Sequence, residues 1–341
     1  MKILKYLATT LTCMLFFACN GNSEGTSVPE KPNNGGGDKP NTEQPILLAD
    51  PTIFAENGQY YVYGTSSNQG FEAYTSSNLE DWTGPCGNLQ NGFVLTTGTS
   101  FGVSSFWAPQ VFKRNGKYYI AYCAATTKDH ASQQIAIAEA DSPRGPFSQK
   151  TKVSIPADMQ EIDPFVFVDD DGKIYLYHVR EIDSNAIYVS KLNSDMTETD
   201  ETKTARCIKA NTYTWENVAN ASWPVAEGPT VVKRDGVYYL FYSVNDFRNI
   251  NYAVGYATSD SPMGPWTKHP EPILTRELIG QNGPGHGDIF QDAKGDYYYV
   301  FHTHNSSTQV APRKTALIKM EWNGTEVRMK KETFRYLWSN K

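Results

Sequence analysis

The chain has 341 residues, of which 39% are hydrophobic, 20% charged and 13% aromatic, and its formal net charge is -6. This is the composition of a globular protein with a large core. A net negative charge without a basic cluster argues against nucleic acid as a partner, and the lack of any run of about 18 apolar residues argues against a membrane-spanning helix.

The N-terminal segment predicts export and lipid attachment. A basic start is followed by an apolar run from Leu7 to Ala18 and then directly by Cys19. This pattern resembles the lipobox of bacterial lipoproteins, with Phe16 in place of the preferred leucine, and it implies cleavage before Cys19 and lipidation of that cysteine. The alternative is an ordinary secretory signal peptide. We expect residues 1–18 to be a lipoprotein signal peptide and the mature protein to be anchored in the cell envelope.

The rest of the chain divides into a tether and one domain. Residues 19–44 are rich in Gly, Pro, Asn and Ser, which is typical of a flexible linker, and residues 45–341 are expected to form the domain. Its cysteines, Cys86, Cys123 and Cys207, are too widely spaced for a zinc motif or a disulfide framework. Cys123 lies in an apolar segment, so we expect a buried thiol rather than a nucleophile.

A motif that begins with glycine and continues with alternating aromatic residues occurs five times in the domain. The glycines are Gly58, Gly116, Gly172, Gly236 and Gly295, at intervals of 58, 56, 64 and 59 residues. Asn-Gly or Asp-Gly pairs close four of the turns, which predicts β-hairpins because both central residues must accept a positive φ. Short apolar runs flank the turns, and no segment has a convincing helical periodicity.

This repeat predicts the fold class. Self-similarity at such a period in an all-β chain indicates radial repetition, and five repeats predict an all-β, five-bladed β-propeller. A β-sandwich would not repeat, and a right-handed β-helix would need a much shorter period. The tyrosines of the repeat are expected to lie in the cores of the blades.

Polar residues occur at one point ahead of the repeated glycines. Counting back from each glycine gives Asp50, Trp107, Asp163, Glu227 and His286, each close to a proline or glycine. Since the first strand of a propeller blade lines the channel, we expect these residues to form a ring around the axis. Each Asp-Pro or Glu-Gly-Pro alone is a turn signal. Three carboxyl groups in register with the repeat instead indicate a site that handles charge or protons.

Such a set of carboxyl groups suits glycoside hydrolysis. Two of them on opposite sides of a glycosidic bond can hydrolyse it, one as acid and one as base. A third can raise the pKa of the acid so that it keeps its proton near neutral pH. A tryptophan on the same ring offers an aromatic face for a sugar. A non-catalytic carbohydrate-binding propeller is the alternative, although a binding module has no reason to keep all three acids.

Five motifs, taken together and in order, carry a resemblance to glycoside hydrolase family 43 that spans the whole domain. They are Ala49-Asp50-Pro51-Thr52-Ile53, Phe106-Trp107-Ala108-Pro109-Gln110-Val111, Ile162-Asp163-Pro164-Phe165-Val166-Phe167, Glu227-Gly228-Pro229-Thr230 and Gly285-His286-Gly287-Asp288. The resemblance implies a five-bladed propeller and an inverting mechanism with Asp50 as general base, Glu227 as general acid and Asp163 tuning and orienting Glu227. The related invertase-like propellers are retaining enzymes and usually have Glu-Cys-Pro where this chain has Glu-Gly-Pro.

The same resemblance implies roles for three further residues. Trp107 would form a wall of the substrate site, and Arg313 fits a late arginine that reaches it. His286 corresponds to a histidine that faces a calcium ion through water in several members; the alternative is a hydrogen-bonded channel histidine. The chemistry itself would need no cofactor. The run 169–172, Asp-Asp-Asp-Gly, lacks the downstream glutamate of a calcium loop and is expected to be a hairpin turn.

The substrate is left open by the resemblance. The family includes α-L-arabinofuranosidases, β-D-xylosidases, endo-arabinanases and galactan-active enzymes whose catalytic residues coincide. Our hypothesis is an exo-acting α-L-arabinofuranosidase, acting as a monomer on arabinan, arabinoxylan or xylan oligosaccharides. The inserted segment from Asp195 to Trp223, the longest loop before an acid residue, is expected to build one wall of the site.

Overall fold

Hairpins closed by the repeated glycines organise the computed structural model, which describes residues 43–128, 132–148, 153 and 160–340. Three of the turns have positive φ at both central residues, as a two-residue type I′ turn requires. They are Asn57-Gly58, Asn115-Gly116 and Asp235-Gly236. The other two turns are one residue longer: Gly172 N–H donates to Asp169 O at 2.9 Å, and Gly295 N–H donates to Asp292 O at 3.0 Å. The predicted hairpins are confirmed.

The first sheet contains the first six strands of the chain. They are β1 (Glu43–Pro45), β2 (Ala49–Glu56), β3 (Gln59–Thr65), β4 (Gly70–Ser76), β5 (Asp81–Thr83) and β6 (Phe93–Thr96), the last paired to β4. A 3-10 turn, Gln90–Gly92, precedes β6. Strand β1 begins two residues before the predicted start of the domain at residue 45.

The next two sheets follow in chain order. The second consists of β7 (Ser104–Arg114), β8 (Lys117–Ala125) and β9 (Gln133–Ala140), and the third consists of β10 (Glu161–Val168), β11 (Ile174–Glu181), β12 (Asn185–Leu192) and β13 (Thr199–Lys209). Within each sheet consecutive strands are antiparallel neighbours, so each sheet is an up-and-down meander.

The last two sheets repeat this meander. The fourth consists of β14 (Ala226–Arg234), β15 (Val237–Val244), β16 (Ala253–Ser259) and β17 (Thr267–Lys268), and the fifth consists of β18 (Gly285–Gln291), β19 (Tyr297–Thr303), β20 (Lys314–Asn323) and β21 (Glu326–Tyr336). A one-turn helix, α1 (Arg276–Ile279), connects them. The final strand, β22 (Trp338–Asn340), pairs with β1 and with β5, which joins the two ends of the domain. The fold is an all-β propeller.

Most of the repeated tyrosines lie in the hydrophobic core, as predicted, and the others are partly buried. The fully buried ones include Tyr63, Tyr122, Tyr177, Tyr242 and Tyr299. Two of their hydroxyls bond to the neighbouring sheet: Tyr63 Oη donates to Pro143 O and Tyr177 Oη to Pro262 O, each at 2.5 Å. Because a buried hydroxyl without a partner is costly, these bonds stabilise the packing of one sheet on the next.

Two smaller predictions are also confirmed. Cys123 is fully buried and not in a disulfide. The run 169–172 forms a hairpin turn in which the Asp169 carboxylate accepts from Lys233 Nζ at 2.8 Å and from Tyr238 Oη at 2.5 Å. The oxygens of Asp169 are therefore occupied by protein donors.

The prediction for the segment from Asp195 to Trp223 is wrong in part. Its residues Thr199–Lys209 do not form a loop but the fourth strand of the third sheet. A 3-10 turn, Thr214–Asn217, follows, and only residues 210–223 connect this sheet to the next.

The segments predicted to be a signal peptide (1–18) and most of the tether (19–44), including Cys19, lie outside the described residues. None of the helices in the described part of the chain is long and apolar enough to cross a membrane.

Candidate active site

One edge strand of each sheet, namely β2, β7, β10, β14 or β18, is interrupted near its start by a shift in register, where one residue has a positive φ. These residues are Asp50 (49°), Ala108 (46°), Asp163 (55°), Gly228 (61°) and His286 (44°). A positive φ costs a non-glycine residue about 1–3 kcal/mol, and bulges of this kind redirect side chains. The same backbone conformation at five equivalent positions, strained at the four that are not glycine, indicates that it shapes the site.

This alignment corrects the predicted ring. Asp50, Asp163 and His286 occupy the bulge position, whereas Trp107 and Glu227 stand one residue earlier, ahead of Ala108 and Gly228. The offset matters because successive strand residues point to opposite sides. The counts from the glycines agree with this offset, since Ala108 and Gly228 lie eight residues before their glycines, as Asp50 does.

Asp50 is surrounded by nitrogen donors. Arg313 Nη1 lies 2.8 Å from Asp50 Oδ1, Arg313 Nη2 lies 3.3 Å from Oδ2, and His286 Nδ1 lies 3.3 Å from Oδ1. Burial alone would raise the pKa of Asp50, but the positive charge of Arg313, the neighbouring His286 and His302 and a hydrogen bond from Thr65 hold it well below its ordinary value. Asp50 is therefore ionised at neutral pH.

The backbone at several bulges is held by a side chain of the preceding sheet. The pairs are Ala108 N–H to Thr65 Oγ1 (3.0 Å), His286 N–H to Ser243 Oγ (2.8 Å) and Asp50 N–H to His302 Nδ1 (3.1 Å). The three acceptors are equivalent, since each stands opposite the residue that precedes a bulge. His302 of the fifth sheet thus accepts the bulge N–H of the next sheet through a ring nitrogen, as Thr65 of the first sheet and Ser243 of the fourth do through a hydroxyl oxygen.

At the bulge of the fourth sheet, Asp163 is the acceptor in place of a side chain at the equivalent position of the preceding sheet. The equivalent acceptor position in the third sheet is Val179, which has no polar atom in its side chain. Asp163 Oδ2 instead accepts from Gly228 N–H at 3.1 Å, so Asp163 fixes the peptide next to Glu227. Burial, followed by the negative charges of Glu227 and Asp50, raises the pKa of Asp163 well above its ordinary value.

Glu227 is buried and has one close polar partner. Tyr252 Oη donates to Glu227 Oε1 at 2.8 Å. Burial raises the pKa of Glu227 to about 7; the Tyr252 hydrogen bond opposes this rise, and the negative charge of Asp50 adds to it. Two buried carboxyl groups of one site, Asp50 and Glu227, thus have pKa values on opposite sides of the normal range. This separation is what a general base and a general acid require.

Sequence reasoning missed Tyr252 and His302. Tyr252 was expected to lie only in a blade core, like the other tyrosines, although it stands at the start of its strand-like segment. His302 lies in an apolar inner strand and is fully buried, and burial lowers its pKa well below its ordinary value. A histidine within the aromatic repeat, where three other repeats have Thr65, Cys123 and Ser243, was the available signal.

The structure also places the other residues that were predicted for the site. Arg313 pairs with Asp50, as described above. Trp107 is partly buried and packs against the hydrophobic cluster that spans the second to fourth sheets; its role as a substrate wall stays a prediction. His286 Nδ1 also lies 3.9 Å from Asp163 Oδ2, and burial lowers the pKa of His286, so its ring is a neutral hydrogen-bonding group between two carboxylates.

The channel beside His286 does not fit a calcium ion bound directly by side chains. Asp288 Oδ2 accepts from Thr52 Oγ1 at 2.5 Å, and Gln110 bonds through both amide atoms to the backbone of Val166. The part of the chain that the structure describes contains no group of three or more His, Cys, Asp or Glu side chains suited to a metal. A calcium ion held through water at His286 stays a prediction, for which anomalous scattering from a calcium-soaked crystal is the measurement.

Comparisons with known proteins agree on one family. The profile of Glycosyl hydrolases family 43 matches residues 42–326. A β-D-galactofuranosidase of Aspergillus niger is 27% identical over 295 residues, 82% of this chain and 81% of its own. An extracellular exo-α-(1->5)-L-arabinofuranosidase of Streptomyces avermitilis is 24% identical over 81% of this chain and 60% of its own. The solved structure of an endo-1,4-β-xylanase from Bacteroides thetaiotaomicron has a TM-score of 0.77 at 35% identity, covering 87% of this chain and 98% of that one.

Proposed function

The chain belongs to family 43 of the glycosyl hydrolases and is an inverting glycosidase, and we propose that it is an exo-acting α-L-arabinofuranosidase with Asp50 as base and Glu227 as acid. We assign these two roles because the pKa of Asp50 is lowered and the pKa of Glu227 is raised within one buried site. Asp50 is ionised and able to accept a proton, whereas Glu227, with a pKa of about 7, keeps its proton up to neutral pH.

The proposed reaction is a single displacement. The Asp50 carboxylate accepts a proton from a water molecule as the water oxygen forms its bond to the anomeric carbon. Glu227 donates its proton to the glycosidic oxygen as the bond from that oxygen to the anomeric carbon breaks. The water, the two carboxyl groups and the substrate supply every atom of the reaction, so the proposal requires no cofactor.

Asp163 and Arg313 are proposed to support this pair. Through Gly228 N–H, Asp163 positions the backbone that carries the acid, and its charge disfavours ionisation of Glu227. Arg313 pairs with both oxygens of Asp50 and so keeps the base ionised. We propose that Arg313 also binds substrate hydroxyls, together with Trp107 and His286.

The choice of an arabinofuranoside rests on chemistry shared by two relatives. The Streptomyces protein is named for arabinofuranose and the Aspergillus protein for galactofuranose, so both are named for five-membered sugar rings. We infer a furanose at the anomeric position, carried by arabinan or arabinoxylan oligosaccharides. A β-D-xylosidase, an endo-arabinanase or a galactan-active enzyme is the alternative within the family.

A product profile tests this proposal. With debranched arabinan, we expect arabinose to be the first product and xylan to release nothing, because the site would accept a terminal furanoside. Early proton NMR spectra should show the β-anomer first, since an inverting displacement on an α-linkage gives it. A ladder of oligosaccharides would contradict exo action, and xylose from xylan would favour the xylosidase alternative.

We also propose that the propeller has five blades. In support, the first strands of the five sheets contact one another in cyclic order: β2 with β7, β7 with β10, β10 with β14, β14 with β18 and β18 with β2.

All three acids belong to a single chain, so we propose that the enzyme acts as a monomer; its sedimentation coefficient would measure this.

We propose further that the enzyme is lipid-anchored in the cell envelope through Cys19, on the strength of the lipobox-like sequence that ends at this residue. Expressed in a bacterium fed with radioactive palmitate, the full chain is expected to become labelled and to fractionate with membranes. The Cys19→Ser variant should lose the label. A labelled variant, or an unlabelled wild type released into the medium, would favour an ordinary signal peptide.

A further inference from the structure

Tyr252 links the acid of the site to the residues around the base. Its hydroxyl donates to Glu227 Oε1 at 2.8 Å. Its ring is stacked on the ring of His302, with centroids 5.7 Å apart and planes 13° from parallel. His302 in turn accepts from the Asp50 N–H at 3.1 Å, and its Nε2 lies 3.2 Å from Arg313 Nη1.

The ring of Tyr252 has little freedom to move. It is fully buried, and His302 covers one of its faces. Gly285 approaches its edge so closely that a Cβ at that position would lie 2.4 Å from Tyr252 Cε1. Because the ring is confined by packing, the hydroxyl oxygen occupies a fixed point relative to the backbone of Asp50.

A fixed donor has a specific consequence for a carboxylic acid. Proton donation requires the acid's hydrogen to point at the leaving oxygen, and a carboxyl group free to rotate spends part of its time in other orientations. A hydroxyl bonded to Oε1 reserves that oxygen as an acceptor and leaves Oε2 to carry the proton. Buried hydrogen bonds of this kind are what holds a reacting group in its productive geometry.

We propose that Tyr252 is a positioning residue for proton donation, which holds Oε1 of Glu227 and, through its stacking on His302, fixes the acid relative to the base. This inference rests on the proposed role of Glu227 as general acid. It assigns a mechanistic role to a tyrosine that the aromatic repeat alone would place in the core. His302 is correspondingly the residue that connects the backbone of the base to this tyrosine.

The Tyr252→Phe variant tests the proposal, because it keeps the ring and removes only the hydroxyl. We expect kcat on arabino-oligosaccharides to fall roughly 10-fold, a part of the 10²–10⁴-fold that general acid catalysis contributes. On 4-nitrophenyl α-L-arabinofuranoside, whose leaving group needs no proton, we expect less than about a threefold change. Across a series of aryl glycosides the rate of the variant should depend more steeply on the leaving-group pKa.

The pH profile gives a second readout. The charged or titratable groups that act on Glu227 besides Tyr252 are Asp50, Asp163, Asp246, Arg248 and Arg313, and the variant leaves them unchanged. A hydrogen bond donated to a carboxylate lowers its pKa, so the loss of the hydroxyl should raise the pKa of Glu227. Since the acid works only when protonated, the alkaline limb of the profile on oligosaccharides should move to higher pH.

Tyr177→Phe is the matched control. It also removes a fully buried tyrosine hydroxyl, which donates to Pro262 O at 2.5 Å and is not bonded to the carboxyl groups of the site. The dependence of the rate on the leaving group and the alkaline limb of the pH profile should therefore be unchanged. An equal loss of Tyr252→Phe on both substrate types, or an unmoved alkaline limb, would overturn the proposal while the wild type remains an active glycosidase. A wild type inactive on every glycoside would instead overturn the proposed function itself.

Discussion

Replacing Asp50 with asparagine is expected to lower kcat by roughly 10²–10⁴-fold, the range that general base catalysis contributes, on natural and activated substrates alike. The amide has nearly the shape of the carboxylate but cannot accept a proton from water. A better leaving group does not compensate, since the attack of water still lacks its base. Initial rates on arabino-oligosaccharides and on 4-nitrophenyl α-L-arabinofuranoside, compared at one pH, measure the effect.

Asp169→Asn provides the control for this prediction. Asp169 is a buried, ion-paired aspartate in the hairpin turn at the end of β10, so the same chemical change there should cost stability without changing kcat. Both variants should show the circular dichroism of the wild type. If Asp50→Asn recovered most of its activity with the nitrophenyl substrate, Asp50 would be acting on the leaving group and could not be the base.

The periodic part of the fold could be predicted because it is local. A two-residue turn needs positive φ at both residues, and Asn57-Gly58 or Asp235-Gly236 meets this need within the chain itself. The repeated glycines therefore predicted the hairpins and the all-β propeller class. The three acids could be found for the same reason, as each lies a nearly constant distance ahead of its glycine.

The geometry of the site depends on contacts between distant residues, which no local pattern contains. The bulge at Asp50 forms next to His302, which lies 252 positions further along the chain. Val179 has no acceptor to offer, so the Asp163 carboxylate bonds to Gly228, a pairing that follows only from the packing of one sheet on the next. The counts from the glycines contain the one-residue offset between Glu227 and Asp50, but the bulge that gives this offset its structural meaning is visible only in the folded chain.

The same dependence on packing hid the residues that contact the acids. Tyr252 belongs to a tyrosine-rich repeat whose members are otherwise core residues, and only the close approach of Gly285 and the stack on His302 distinguish it. Similarly, the segment before Glu227 contained a whole outer strand, Thr199–Lys209, whose polar composition resembles that of a loop. Neither face of this strand is consistently buried, so it lacks the apolar alternation of a strand that has one buried face.

Glu227→Ala is expected to have effects that differ sharply between substrates. On arabino-oligosaccharides kcat should fall by roughly 10²–10⁴-fold, because a sugar alkoxide is a poor leaving group unless it is protonated. On the 4-nitrophenyl glycoside the loss should be far smaller, since nitrophenolate departs as a stable anion. The ratio of the two losses, measured under identical conditions, isolates proton donation from any general damage to the site.

The pH dependence of the same variant is a second test of Glu227 as the general acid. With a pKa of about 7, Glu227 loses its proton as the pH rises through neutrality, so the wild type should lose activity on oligosaccharides above about pH 7. Asp50, whose pKa is held low, should limit activity only in strong acid. Glu227→Ala removes the group that titrates near neutrality, and its residual activity on the oligosaccharides should therefore no longer decline there. An alkaline limb retained in this variant, or equal losses on both substrates, would assign the acid to another residue, and Asp163, the other carboxyl group with a raised pKa, would be the one to test.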